Sequence, residues 1–319
     1  MSAGVAFLFP GQGAKRADLA LRTAVARPWG RALCERAARV AGTDLALVLS
    51  RPSLLDRTRV YQPLITAVAL AAAHALKDAG VRPRVVLGHS MGEVAAWSFA
   101  GGCSAEEAID LCALRGERME REAESHPGAM VALATSEPAL VASALEAGRQ
   151  KGALAIAAHN APDETVLTGD EAAVRAVLFA FAGRATRVPT PGAWHSPAMA
   201  GALPAFRAAL EKLGAPDLSA IFVSNRTGEA AAAKDAPALL AEQLVRPVEW
   251  ARSVATAADL SDTMVTLGPG AVLRSLWYKN TNSERWRAAS VLATEDPRSL
   301  AETARLLGDR PLPSSAELP

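Results

Sequence analysis

Short runs that are apolar at every position alternate along this chain with longer segments whose apolar residues recur every three or four positions. That alternation predicts an α/β fold, with strands covered on both faces by helices. Val5-Ala6-Phe7-Leu8-Phe9 is the first such strand, and Pro10-Gly11-Gln12-Gly13 stops it. Helical segments rich in Ala, Leu and Arg follow to about Leu49, and Gln62 to Ala79 forms a long helix that is apolar nearly all round, closed by Gly80. Arg84 to Leu87 is the next strand. Ser104-Ala105-Glu106-Glu107 is a capping box opening a helix that runs to about Ala123.

Beyond His126-Pro127-Gly128 the pattern changes. Strand (Ala129 to Ala134), helix (Glu137 to Ala147), strands (Leu154 to His159 and Glu164 to Thr168), helix (Asp170 to Phe181) and strand (Ala185 to Pro189) give β-α-β-β-α-β. That order is the signature of a ferredoxin-like unit, with Asn160 and Gly169 expected at its turns. The chain then returns through Pro191-Gly192-Ala193-Trp194-His195-Ser196-Pro197 to a helix from about Ala198 to Leu213, a short strand at Ile221 to Ser224, a helix after Trp250, and a last strand at Thr263 to Leu267. Gly268-Pro269-Gly270 precedes a helix through Tyr278. The expected organisation is a large subdomain (1–127 and 196–308), a small inserted subdomain (128–195) and a flexible Pro- and Ser-bearing tail (309–319).

Composition narrows the function classes. Among 319 residues, 50% are hydrophobic and the formal net charge is +1, with no Lys/Arg run interleaved with aromatics, so nucleic acid is not an expected partner. The start lacks the basic region of a signal peptide, and no apolar stretch reaches membrane-spanning length. Cys34, Cys103 and Cys112 are odd in number and form no C-x-x-C pair. A reducing, cytoplasmic setting without disulfides or a metal site is the expectation.

The chemistry concentrates at Gly88-His89-Ser90-Met91-Gly92, which lies between the strand at Arg84 to Leu87 and a following helix. This G-x-S-x-G pattern is that of a nucleophile elbow, as in α/β-hydrolase-like folds, and the helix start directs amides toward developing negative charge. Ser90 needs a base. Of five histidines, His89 adjoins the serine, His74 is mid-helix, His126 is in a linker and His159 ends a strand; His195, on the loop returning to the large subdomain, is the best placed. No acid occupies a persuasive position to orient it, so a backbone carbonyl is an alternative. On the capping-box helix Ala108, Leu111, Cys112, Arg115 and Met119 form one face, which leaves Arg115 as a cation on an apolar stripe. Its partner is either an internal Asp or Glu or a substrate carboxylate.

Six segments together resemble the malonyl-CoA:acyl-carrier-protein transacylase family, including stand-alone acyltransferases that serve polyketide synthases. They are Phe9 to Gly13, Gly88 to Glu93, Arg115-Gly116 with Met119, His195-Ser196-Pro197 with Met199, Gln243 through Trp250, and Leu267 to Gly270. The resemblance spans about residues 5 to 300 and implies an α/β-hydrolase-like core with a ferredoxin-like insert. It implies Ser90 as acylated nucleophile, His195 as base, the backbone amides of Gln12 and Met91 as oxyanion hole, and Arg115 as the grip on the malonyl carboxylate. It also implies that the main-chain carbonyl of Gln243 orients His195. Trp194, His89 and Asn160 are carried as further substrate-binding candidates. No bound cofactor is implied; malonyl-CoA is the substrate, an acyl carrier protein with its phosphopantetheine arm the partner, and a monomer the expected state.

Two departures stand out. Ala14-Lys15 replace the family's usual Ser-Gln, and Gly192-Ala193-Trp194-His195 matches neither common version of the motif that correlates with extender choice. A bulky Trp194 favours malonyl over methylmalonyl, with an unusual extender as an alternative. An editing acyl hydrolase and a non-catalytic carrier-protein docking module are the competing functions; Arg115 weighs against the first, and intact Ser90, His195 and Arg115 against the second.

Overall fold

Residues 4–13, 16–281 and 290–312 are described by a computed structural model of the chain. The departure at Ala14-Lys15 lies outside them. Strand β1 (Val5–Phe9) is followed by helices α1 (Ala17–Val25), α2 (Pro28–Val40), α3 (Leu45–Ser50) and α4 (Thr58–Asp78). Then come β2 (Val85–Gly88), α5 (Gly92–Phe99) and α6 (Ala105–Ser125). The middle of the chain supplies β3 (Gly128–Ala134), α7 (Pro138–Arg149), β4 (Leu154–Ala161), β5 (Glu164–Asp170), α8 (Glu171–Ala180) and β6 (Ala185–Val188). The rest gives α9 (Leu203–Glu211), β7 (Ile221–Phe222), α10 (Ala236–Glu242), α11 (Trp250–Leu260), β8 (Thr263–Thr266), α12 (Ala271–Asn280), β9 (Ser290–Ala293) and α13 (Pro297–Leu307).

Two sheets result. A five-stranded parallel sheet has the order β7-β2-β1-β8-β9, and a four-stranded antiparallel sheet the order β4-β5-β3-β6. Strands β1 and β2 are central and almost wholly apolar because helices cover both faces of the parallel sheet. Helix α4 is buried along nearly its whole length and packs along α6. It begins at Thr58, a turn before the expected Gln62, and carries Pro63 inside it. The antiparallel sheet has its own core under α7 and α8, built from Val131, Leu133, Leu167, Val174 and neighbours. A parallel bridge between Ala158 and Val248 joins β4 to the segment just before α11.

Several expectations shift at element ends. The helix expected from Ala198 to Leu213 is a 3-10 segment (Pro197–Ala202) followed by α9. Pro204 explains the break, since it lacks an N–H and fits only the first turn of a helix. The strand expected to reach Ser224 ends at Phe222. Asn160 and Gly169 lie inside β4 and β5 rather than at turns, Asn160 beside an irregularity in the β4–β5 register. Strand β9 and helix α13 are not signalled by the apolar pattern: β9 is half-buried at the sheet edge, and α13 opens on an Asp296/Ser299 box rather than the Ser/Glu form. The segment expected to be loose from 309 onward is tied down at its start. Asp309 N–H donates to the Ala79 carbonyl at 3.0 Å, and Leu312 packs on the core. Gly80 suits the turn there because its φ is 95°, a left-handed conformation that glycine adopts most readily.

Candidate active site

Ser90 sits where β2 gives way to α5, with φ of 53°, a left-handed conformation that is costly for a residue with a side chain. The two glycines of the motif make that turn possible. A Cβ on Gly88 would lie 2.0 Å from the Gly92 carbonyl carbon, and one on Gly92 would lie 2.3 Å from the Phe9 carbonyl oxygen. The elbow is therefore wedged against the end of β1, and the turn at Gly11 and Gln12 lies beside it. His195 is the second left-handed residue of the site, at φ 58°.

The structure brings the expected pair together. Ser90 Oγ is 2.7 Å from His195 Nε2, and His195 Nδ1 is 2.8 Å from the main-chain oxygen of Gln243. A carbonyl only accepts, so Nδ1 carries the hydrogen and Nε2 is the free acceptor facing the serine hydroxyl. Burial and the nearby Arg115 charge push the His195 pKa down to about 3, so the imidazole is neutral and available as a base near pH 7.

Arg115 is 1% exposed, and no carboxylate lies within ion-pair distance of it among the described residues. Neutral groups satisfy it instead. Nη1 donates to Gln62 Oε1 at 2.8 Å; Nη2 donates to Gln243 Oε1 at 2.8 Å and to Ser90 Oγ at 3.2 Å. Desolvation lowers even this guanidinium, to about 10. Helix α6 places Arg115 there because its apolar stripe faces α4, where Gln62 is the polar residue opposite. Thr58 extends the chain of bonds: its hydroxyl accepts from Gln62 Nε2 at 3.2 Å and donates to Gln12 Oε1 at 2.6 Å.

His89 and Asn160 bond each other rather than standing free. Asn160 Nδ2 donates to Glu164 at 3.0 Å, so its Oδ1 accepts from His89 Nε2 at 2.9 Å. The pair pins the elbow to β4. His74 packs between the rings of Trp29 and Phe99. Trp194 is buried beside His195. A Cβ on Gly192 would lie 2.6 Å from its six-membered ring and 2.8 Å from Ala123, so the ring tip lies near the C-terminal part of α6. Met91 caps the N-terminus of α5 directly after Ser90. Among the described residues no group of three His, Cys, Asp or Glu side chains is arranged to hold a metal.

Three buried residues of the site were not singled out from sequence: Gln62, Glu93 and Asn225. Asn225 Oδ1 accepts the Ser90 N–H and its Nδ2 donates to the Gly88 carbonyl. Glu93 accepts from the Asn225 N–H and from Gln243 Nε2. A signal existed for one of them: Glu93 is the sole charged residue in the mostly apolar helix Gly92–Phe99.

The chain is similar to proteins of known family. The acyl transferase domain family matches residues 6–307. The chain is 36% identical over 300 residues to polyketide synthase GfsB of Streptomyces halstedii, a match covering 86% of this chain and 5% of the synthase. It thus spans about a twentieth of that relative. It is 34% identical over 222 residues to the malonyl CoA-acyl carrier protein transacylase of Mycolicibacterium smegmatis, covering 68% of this chain and 75% of that one. The crystal structure of the malonyl CoA-acyl carrier protein transacylase of Clostridium perfringens superposes with a TM-score of 0.85 at 26% identity, covering 96% and 97% of the two chains.

Proposed function

The chain belongs to the acyl transferase domain family, and from that premise we propose that it moves a malonyl group from coenzyme A to the phosphopantetheine thiol of an acyl carrier protein, through an ester on Ser90. The observation that carries this is Arg115: a buried guanidinium beside the nucleophile, partnered only by neutral groups among the described residues. Such a cation is matched when a carboxylate-bearing acyl group arrives. The family's architecture is part of the same proposal. The parallel sheet with its elbow is the α/β-hydrolase-like subdomain (1–127 and 196–308), and the antiparallel sheet with α7 and α8 is the ferredoxin-like insert (128–195).

In the first half-reaction Ser90 Oγ attacks the thioester carbonyl carbon as its proton passes to His195 Nε2. The oxyanion forms against the Gln12 and Met91 amides, which flank the serine on the turns after β1 and β2. The C–S bond then breaks, and the imidazolium returns the proton to the departing thiolate. Burial, and after it the neighbouring Arg115 charge, disfavours the imidazolium, which favours this return. The carrier's thiol reverses the sequence: it gives its proton to His195, attacks the acyl-serine, and the proton ends on Ser90 Oγ. Gln243 holds the imidazole through its carbonyl, in place of the acid of an ordinary triad. A cytoplasmic setting and the absence of any cofactor beyond the substrates belong to this reading; the three cysteines are unpaired.

The test is labelling. Wild-type protein mixed with radiolabelled malonyl-CoA is expected to carry label that moves to added acyl carrier protein, and Ser90→Ala protein to stay unlabelled. Label surviving the substitution refutes Ser90, and label released as free malonate in the presence of carrier protein makes the protein a hydrolase.

A further inference from the structure

Helix α5 carries one acid, and the steps above give it no part. Glu93 is wholly buried one turn beyond the nucleophile. Its Oε1 accepts the Asn225 N–H at 2.7 Å, and its Oε2 accepts Gln243 Nε2. The Gln243 amide nitrogen also donates to the Ser90 carbonyl at 2.8 Å. With its nitrogen facing these two acceptors and, at 3.5 Å, Asn225 Oδ1, this amide has one way to lie, and its oxygen meets Arg115 Nη2 at 2.8 Å. Turned over, it would set N–H against guanidinium N–H and oxygen against oxygen, each a buried polar mismatch.

The other side of the guanidinium is fixed in the same manner. Gln62 gives its oxygen to Arg115 Nη1, while its nitrogen donates to Thr58 Oγ1 at 3.2 Å and Met119 Sδ at 3.4 Å. The difference between the sides is what stands at the end. Behind Gln243 is a carboxylate, one amide removed from the cation. In direct contact it would pair with Arg115 and compete with an incoming acid; behind an amide it directs the guanidinium and leaves a donor toward Ser90 Oγ. Burial raises the Glu93 carboxyl to about 7, so the fold bears a cost for keeping an acid there.

We propose that Glu93 is the positioning residue that selects carboxylate-bearing acyl groups: by fixing the Gln243 amide it holds Arg115 aimed at Ser90 without forming an ion pair with it. This rests on the transferase function proposed above. Glu93 touches neither substrate nor reacting atoms and acts through Gln243 and Arg115.

Glu93→Gln tests it with little change in shape. The Ser224 hydroxyl, which also bonds Glu93, can turn to suit either group, but Asn225 N–H and Gln243 Nε2 can only donate, so whichever way the new amide lies one of those two faces an NH2 group. Rates of Ser90 acylation by malonyl-CoA and acetyl-CoA are to be measured on both proteins. The expected result is about a tenfold fall in the malonyl-to-acetyl ratio of kcat/KM, residing mainly in the malonyl KM. Loss of a merely structural group would lower both substrates together. A ratio within threefold of the wild-type value overturns the proposal, whatever the absolute rates. Gln243→Met keeps the backbone carbonyl on His195 but removes the amide; it is expected to lower the same ratio and decides the matter should Glu93→Gln fail to fold. Wild-type protein that malonyl-CoA does not label on Ser90 would defeat the transferase function itself, a failure distinct from an unchanged ratio.

Discussion

The side chain of Asn225 closes the turn that holds Ser90: its Oδ1 accepts the Ser90 N–H at 2.8 Å and its Nδ2 donates to the Gly88 carbonyl at 2.7 Å. One amide thereby fastens both sides of a left-handed residue to the end of β7. Asn225→Ala leaves a buried donor and a buried acceptor without partners, a loss of about 1–3 kcal/mol in stability. Acylation is expected to slow alike with malonyl-CoA and acetyl-CoA, because Ser90, the proposed nucleophile, is disturbed rather than Arg115, the proposed carboxylate grip. Urea unfolding and single-turnover acylation check this; a change confined to one substrate would contradict it.

Arg115→Ala removes the proposed carboxylate grip. Charged hydrogen bonds are worth roughly 1.5–3 kcal/mol, so malonyl transfer is expected to fall by about one to two orders of magnitude. Acetyl transfer, which offers no carboxylate, is expected to be retained. An unchanged preference for malonyl over acetyl would remove Arg115 from substrate recognition.

Two buried titrating groups give stability a pH dependence with opposite signs. The Glu93 pKa is raised from 4.5 to about 7, so its contribution is present below 4.5 and lost as pH rises to about 7. The His195 pKa is depressed from 6.5 to about 3, so its neutral burial weakens the fold as pH falls from 6.5 toward 3. In Glu93→Gln only the second slope remains. The stability of that variant relative to wild type is therefore expected to rise between pH 4.5 and 7, by roughly 3 kcal/mol at most. Denaturant unfolding at the two pH values reads this directly, and a constant difference would contradict it.

Trp194, buried beside His195, is the residue we propose for extender choice. Trp194→Ala is expected to raise methylmalonyl transfer relative to malonyl, alongside a stability loss of about 3–5 kcal/mol for an emptied core site. Competition between the two acyl-CoAs, followed by intact-protein mass, measures the ratio. No change in it would leave Trp194 as packing against Gly192 and Ala123 alone.

Much was legible in the sequence because it depends on local constraints. Gly88 and Gly92 announce a turn that only glycines permit, the apolar runs at Val5 to Phe9 and Val85 to Leu87 announce buried parallel strands, and Arg115 stands out because a helix repeats every 3.6 residues. The choice of His195 followed from elimination among five histidines. The tertiary structure alone decided what surrounds them. Sequence spacing could not say whether Arg115 faces an internal acid, and the answer is an arrangement it gives no means to foresee: two glutamines, 53 and 128 residues away, with an acid behind one of them. Asn225 follows a strand of two residues and has no local pattern; it matters because β7 pairs with β2 and delivers it to the elbow. Periodicity reports which face of an element is buried, whereas the partner of a buried polar group is set by where distant elements end, and that is fixed only when the sheet assembles.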